Sequence, residues 1–394
     1  MLRKELMIME AKKEVDRLVK ARDVFENRDR RARELKAEGK KVIGYLCAYV
    51  PVEMITALDM VPYRVLGAAR EPITEADAHL QTVLCPFVRS CFDQSLKGKY
   101  DFLDVFVSVH TCDTVYSAVQ FWTYYVKPPY DHFIDMPHTR HKASVEFFAN
   151  ELNLFRKTLE ELAGKEISPA RLRDAISAHN EQRALVWELQ ELRKEDPPPV
   201  SGAETLQIAI ALMSIPVTEG NALLRESIEE IKGRKDGPKK QPFRLLLWGS
   251  PLDDVSIIEM IEDCGANVVI DDICTGTRFY WPEVEITPDL VGGLARRYLD
   301  EVRCPRTFRE TGANYWADLE DRFAYVKDLA KDWNVNGVIL QSMKYCDTHG
   351  YEVPGLRDYL KSIGLPALYL EHEYTMIALA PLRTRVQAFL ETMA

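Results

Sequence analysis

The sequence is short of positive charge. Lys and Arg number 51 against 61 Asp and Glu, a formal net charge of −10. A general nucleic-acid binder neutralises phosphates with Lys and Arg, so that class is set aside. Long apolar runs are also missing. The most apolar stretch, residues 206–215, contains Gln207 and Ser214 and stops at Pro216. A bilayer span needs roughly 20 apolar residues, so no membrane segment is expected. The first 40 residues are densely charged, without the apolar centre of a secretory signal, which makes a cytoplasmic protein the expectation. No Gly-x-x-x-x-Gly-Lys phosphate loop occurs, and no Cys-x-x-Cys pair. The first absence leaves ATP to another chain, and the second sets aside a zinc ribbon.

What is there is the composition of a globular protein, 46% hydrophobic and 28% charged over 394 residues. That length exceeds one ordinary core, since domains run to roughly 100–200 residues. Eight cysteines are present. In a cytoplasmic chain they are expected as buried small hydrophobes or as metal and redox ligands, not as disulfides.

Periodicity divides the chain. Ile8, Ala11, Val15, Leu18 and Phe25 recur at helical spacing, which predicts an N-terminal helix over 1–38 and a boundary at residue 40. An α/β block follows over 41–142, with strands expected at 41–47, 62–66, 104–109 and 132–135. Residues 143–240 read as a helical region and linker. Ser168-Pro169 marks a helix start there, and Pro197-Pro198-Pro199 with Ser201-Gly202 a break. A second α/β block covers 241–394, with strands expected at 244–248, 268–271, 337–340 and 367–370. Strands alternating with helices predict parallel sheets. The fold class is therefore α/β: two Rossmann/flavodoxin-like parallel-sheet domains, a helical segment between them and an N-terminal helix.

The two blocks share an order. In each, a later strand leads to a Cys-Asp pair, Cys112-Asp113 in the first and Cys346-Asp347 in the second. Ligands of open parallel sheets sit beyond the carboxyl ends of the strands, where both thiols fall. Cys85, before a predicted helix at 87–96, is placed where a helix N-terminus favours a thiolate. Spacing alone leaves two readings of these thiols open, structural burial and metal binding.

Six stretches carry more. They are Gly44-Tyr45-Leu46-Cys47-Ala48-Tyr49-Val50-Pro51-Val52-Glu53, Leu84-Cys85-Pro86, His110-Thr111-Cys112-Asp113-Thr114, Asp271-Asp272-Ile273-Cys274-Thr275-Gly276, Lys344-Tyr345-Cys346-Asp347 and Arg383-Thr384-Arg385-Val386-Gln387-Ala388-Phe389. Taken in order, over about residues 44–391, they resemble the 2-hydroxyacyl-CoA dehydratase and benzoyl-CoA reductase superfamily. The resemblance implies an iron–sulfur enzyme subunit with one [4Fe-4S] cluster on Cys85, Cys112 and Cys346. It implies a homologous cluster-bearing partner subunit, a separate ATP-hydrolysing iron–sulfur activator and an acyl-CoA substrate. The His-Thr-Cys-Asp-Thr form looks more like the benzoyl-CoA reductase branch. The expected function is thus an ATP-dependent aromatic acyl-CoA reductase subunit. An (R)-2-hydroxyacyl-CoA dehydratase subunit and a non-catalytic electron-relay partner are the alternatives.

Other residues enter as candidates. His110 could donate a proton to a reduced substrate. Glu53 could face the same pocket, or else stabilise the first turn of its helix. Arg89, Arg278 and Arg385 are candidate partners of CoA phosphates. Cys47 and Cys274 end strands and could line the cleft. Cys91, Cys264 and Cys304 are expected to be structural.

Overall fold

The computed structural model describes residues 18–375 and 379–394. Among these, eight strands form two four-stranded parallel sheets. The first contains β1 (Val42–Tyr45), β2 (Val61–Arg64), β3 (Val105–Val109) and β4 (Tyr130–Ile134), ordered β2-β1-β3-β4. The second contains β5 (Phe243–Gly249), β6 (Ala266–Ile273), β7 (Gly337–Met343) and β8 (Ala367–His372), ordered β6-β5-β7-β8. These are the eight strands expected from the pattern, with ends moved by up to three residues. Every residue of β1, β2, β3, β6 and β7 is buried. That is why they read as continuous apolar runs: helices cover both faces of a parallel sheet.

Counted within each sheet, both orders are 2-1-3-4, the start of the flavodoxin-like order. Strand order reverses between β1 and β3, and again between β5 and β7. The crevices at those reversals are where such sheets bind ligands.

The helical region supplies Lys142–Ala163, Pro169–Leu192, Gly202–Leu212 and Val217–Gly233. Ser168 caps the second of these as expected, its Oγ accepting the Arg171 N–H at 3.3 Å, with Pro169 in the first turn. Ser201 and Glu204 form a reciprocal capping box on the third. The long N-terminal helix fares differently. Its first 17 residues lie outside the described chain, and from Leu18 onward two helices, Val19–Glu26 and Arg28–Ala37, meet at Asn27. The Asn27 amide donates to the Asp23 carbonyl at 3.1 Å and to the Asp23 carboxylate at 2.9 Å. That local bonding competes with the helical backbone, and apolar periodicity carries no sign of it.

The two sheets are tied together by polar and apolar contacts. Asp253, just beyond β5, accepts the Gly67 N–H at 2.9 Å and the Tyr374 hydroxyl at 2.5 Å. One apolar core includes Leu46, Phe92 and Phe106 from the first half and Leu245, Leu247 and Ile339 from the second, with Cys85 within it.

At the end of β5 the sheet needs glycine. Gly249 has φ +153°, and a Cβ there would lie 1.9 Å from the Gln341 carbonyl oxygen of β7. Gly364 has φ +71° but open space around it. Gly249→Ala is expected to lower stability by more than about 2 kcal/mol, and Gly364→Ala by about 1 kcal/mol. Urea unfolding of both variants checks this. Equal losses would show that close approach of β7 is not what demands glycine.

Candidate metal centre

Cys112 follows β3 by three residues and Cys346 follows β7 by three, so the two thiols take equivalent places in the two sheets. Both are helix N-caps, of Asp113–Phe121 and Asp347–Ser362. Cys85 is the N-cap of Pro86–Leu96, where Pro86 takes the first helical position and loses only an N–H that would be orphaned anyway. Backbone N–H groups of the first turns lie near each sulfur and favour its ionised form: Phe87 and Val88 at Cys85, Thr114 and Val115 at Cys112, His349 at Cys346. Three helix N-termini therefore direct their positive ends at thiols, the environment that favours thiolate.

These thiols are neighbours. Cys85 and Cys346 share a hydrogen bond, and Cys85 is also close enough to Cys112 to be felt electrostatically. The bond to Cys346 holds Cys85 below the usual thiol range, against the effect of burial; Cys346, keeping the shared proton, is pushed well above it. Burial pushes Cys112 up to about 12 despite its helix N–H groups.

A second group of thiols adjoins the first. Cys274, just past β6, shares a hydrogen bond with Cys304. Cys47, just past β1, is felt by Cys112 and Cys274 and itself feels Cys304. Cys274 in turn is felt by Cys346. The Cys274 bond lowers Cys304 to about 6 against burial, helped by the Arg278 charge and the Tyr49 hydroxyl. Cys304, expected as structural, is thus part of the cleft. It lies in an irregular stretch, beyond any strand end, so the pattern gave no signal for it. Two non-glycine residues here sit in the left-handed region, Cys47 at φ +79° and Tyr345 at φ +62°. Strain of this kind is kept where surrounding structure enforces it, commonly at functional sites.

Among the described residues, no three His, Cys, Asp or Glu side chains converge as ligands of a single metal ion. Cluster ligands each bind a different iron and need not converge on one point. Soft thiol donors, each at a helix N-terminus, fit an iron–sulfur group in this cleft.

Beside Cys346 stands His349, its Nδ1 3.4 Å from the Cys346 sulfur and its Nε2 2.9 Å from Arg278 Nη1. Burial, then the Arg278 charge, hold this imidazole well below its usual pKa, so it is neutral. Arg278 is itself buried in an ion pair with Asp272, Nε to Oδ1 at 2.8 Å. It cannot reach a solvent-side phosphate. Arg89 is likewise engaged with Asp77, and Arg385 is exposed with its guanidinium on the Tyr369 carbonyl.

His110 precedes Cys112 on the same turn. Its Nδ1 lies 3.1 Å from Asp135, and its ring meets Tyr116, Phe133 and His138 in a partly open setting. Glu53 is placed differently from a pocket residue. It is fully buried, paired with Arg183 and accepting the Tyr298 hydroxyl at 2.9 Å. Its partners come from the helix Pro169–Leu192 and from Tyr298, not from the thiols. Its first-turn position in Val52–Thr56 gave no hint of those distant partners.

A model of the 2-hydroxyglutaryl-CoA dehydratase D-component family matches residues 47–393. Curated relatives include a benzoyl-CoA reductase subunit of Thauera aromatica, 27% identical over 90% of this chain and 91% of the relative. The (R)-phenyllactyl-CoA dehydratase beta subunit of Clostridium sporogenes is 24% identical over 94% and 97%. The (R)-2-hydroxyglutaryl-CoA dehydratase beta subunit of Acidaminococcus fermentans is 25% identical over 91% and 94%.

The Glu53 pair makes a pH prediction. Burial is the largest single influence and opposes its ionisation, but Arg183, His179 and Arg297 together outweigh it and hold the carboxyl down at about 2, against an ordinary 4.5. His179 is pushed down to about 4 by burial, so at neutral pH it is uncharged and Arg183 carries the pairing. A depressed carboxyl stabilises the fold fully above its unfolded value, and the contribution is lost as pH falls through the folded value. Arg183→Met, which strands the carboxylate, is expected to cost about 3–5 kcal/mol at neutral pH. Denaturant unfolding should show that cost shrinking as pH drops below 4.5 toward 2. A cost independent of pH would refute the ion pair as its source.

Proposed function

Because the chain belongs to the 2-hydroxyglutaryl-CoA dehydratase D-component family, we propose that it is the iron–sulfur subunit of an aromatic acyl-CoA reductase of the benzoyl-CoA type. One observation carries the cluster assignment: Cys85, Cys112 and Cys346 each cap a helix, and each of the last two follows its strand, β3 or β7, by three residues. These three would hold a [4Fe-4S] cluster. Bound there, it supplies one-electron reduction at low potential. The chain's own part is to set the three sulfurs at helix N-termini and to bury them, Cys85 most fully, so that iron would take the place of the protons on Cys112 and Cys346. Cys47, Cys274 and Cys304 bring further donors into the cleft and would hold additional iron and sulfide.

In this reading the substrate is a CoA thioester, and electrons arrive singly from a separate ATP-hydrolysing activator. Two electrons and two protons convert an aromatic ring to a cyclic diene. His110, partly open and one residue removed from Cys112, is the proposed proton donor, with Asp135 orienting its ring. A homologous partner subunit would complete the enzyme, as the subunit names of the relatives suggest. A dehydratase subunit is the second reading, favoured by the dehydratase beta subunits among those relatives. In it, one electron is returned after water leaves, so a single reduction supports many turnovers.

Anaerobically purified protein is expected to be brown, with about one cubane or more per chain. Cys346→Ala should lose that iron and its visible absorption, whereas Cys264→Ala, whose thiol faces the Arg383 carbonyl and none of the other thiols, should keep both. A colourless, iron-free wild type from a strictly anaerobic preparation would overturn the assignment. Electron stoichiometry separates the two reactions: the reductase consumes two electrons per product, the dehydratase a small fraction of one. His110→Gln should slow turnover by about 10²-fold or more with iron content unchanged. Unaltered turnover would remove His110 from the chemistry.

A further inference from the structure

The hydrogen bonding around Cys346 fixes a tautomer, and the tautomer fixes a donor. Arg278 is locked on Asp272: Nε donates to Oδ1 at 2.8 Å, and Nη2 donates to Oδ2 at 3.0 Å and to the Asp272 carbonyl at 2.6 Å. Asp272 also accepts the Tyr325 hydroxyl at 2.7 Å, and that oxygen accepts the Trp248 indole N–H at 3.2 Å. The remaining nitrogen, Nη1, meets the Gly249 carbonyl at 3.1 Å, the Cys274 sulfur at 3.3 Å and His349 Nε2 at 2.9 Å. A guanidinium has donors and no acceptor. His349 Nε2 must therefore accept, and the imidazole proton sits on Nδ1. That nitrogen is 3.4 Å from the Cys346 sulfur. His349 is 3% exposed and packs edge-on against Trp248, so its ring has nowhere else to turn.

Resting on the iron–sulfur assignment above, we propose that His349 is a positioning residue that donates an N–H···S hydrogen bond to the ligand Cys346 and so biases the cleft toward the reduced cluster. A donor stabilises negative charge on sulfur, and reduction adds negative charge, so the bond favours the reduced form. The same buried guanidinium donates to Cys274. Arg278 thus serves both thiols of the second sheet, directly at Cys274 and through the imidazole at Cys346. Among the described residues, no side chain donates to the first sheet's Cys112.

The test uses the anaerobically prepared full chain, with iron and sulfide assayed and a reductive titration followed by electron paramagnetic resonance. Wild type is compared with His349→Leu, which removes the donor, and His349→Asn, whose amide nitrogen stands near the place of Nδ1. All three are expected to hold equal iron. At the wild-type midpoint the reduced-to-oxidised ratio should fall about tenfold in the Leu variant, the scale of one hydrogen bond to a charged acceptor, and recover in the Asn variant. Iron-bearing Leu and wild-type proteins with equal midpoints would overturn the proposal and leave the cluster assignment standing. Loss of iron from both variants would also overturn it, since the Asn variant keeps the donor. An iron-free wild type would instead fell the assignment beneath it.

Discussion

A parallel strand that runs into a helix leaves unbonded N–H groups at its carboxyl end, because the first turn of a helix has no partners for them. Both sheets here send those ends into one cleft. Cys112 stands after β3, Cys346 after β7, and Cys85 at the start of a third helix. The rest of the site follows from this constraint. Thiolates repel one another, and a cleft holding several needs fixed positive charge that does not itself have to be desolvated. Helix termini provide it as partial charge on backbone groups the fold already contains. The 2-1-3-4 strand order adds the second requirement, a crevice between β1 and β3 and another between β5 and β7.

Buried ions do the remaining positioning. The stretch Asp271-Asp272-Ile273-Cys274-Thr275-Gly276 runs from the last residues of β6 into a turn, and its side chains serve separate tasks. Asp271 accepts the Thr277 N–H at 2.8 Å and lies 3.6 Å from Arg193. Asp272 holds Arg278. Gly276 is required because a Cβ would fall 2.1 Å from the Asp271 carboxylate. Burying such pairs brings little net stability, since desolvation offsets most of the attraction, but each fixes a geometry. Here the geometry fixed is that of a guanidinium beside a thiol.

Much of this was legible in the sequence. All eight strands followed from short apolar or aromatic runs; those in the middle of the sheets are buried on both faces, while the edge strands β4 and β8 are partly exposed. Cys112 and Cys346 were placed at strand ends by the same pattern, while Cys85 joined them through the resemblance and its position before a helix. Three things were not legible. The break at Asn27 depends on a side chain bonding back to Asp23, four residues earlier. Glu53 meets Arg183 across 130 positions of sequence, and nothing local to either residue announces the other. Cys304 reaches the cleft from an irregular segment whose path is set by tertiary packing, so periodicity has nothing to report there.

The likeness of the two halves makes their difference informative. At the end of its first strand, the first half places Tyr45 opposite Val107 of β3, with Cys47 two residues on in a left-handed conformation. The second half places Gly249 at the corresponding strand end, and its missing side chain lets the β7 carbonyl of Gln341 approach. That close approach frees the Gly249 carbonyl to accept from Arg278, whose guanidinium would otherwise lack one of its buried partners. A tyrosine in the first half thus answers to a glycine in the second, and the glycine carbonyl accepts from a buried cation. The duplicated scaffold yields an unequal cleft: Cys274 and Cys346 are bonded to guanidinium and imidazole on the second sheet's side, whereas Cys47 and Cys112 on the first sheet's side are reached by the field of Arg306.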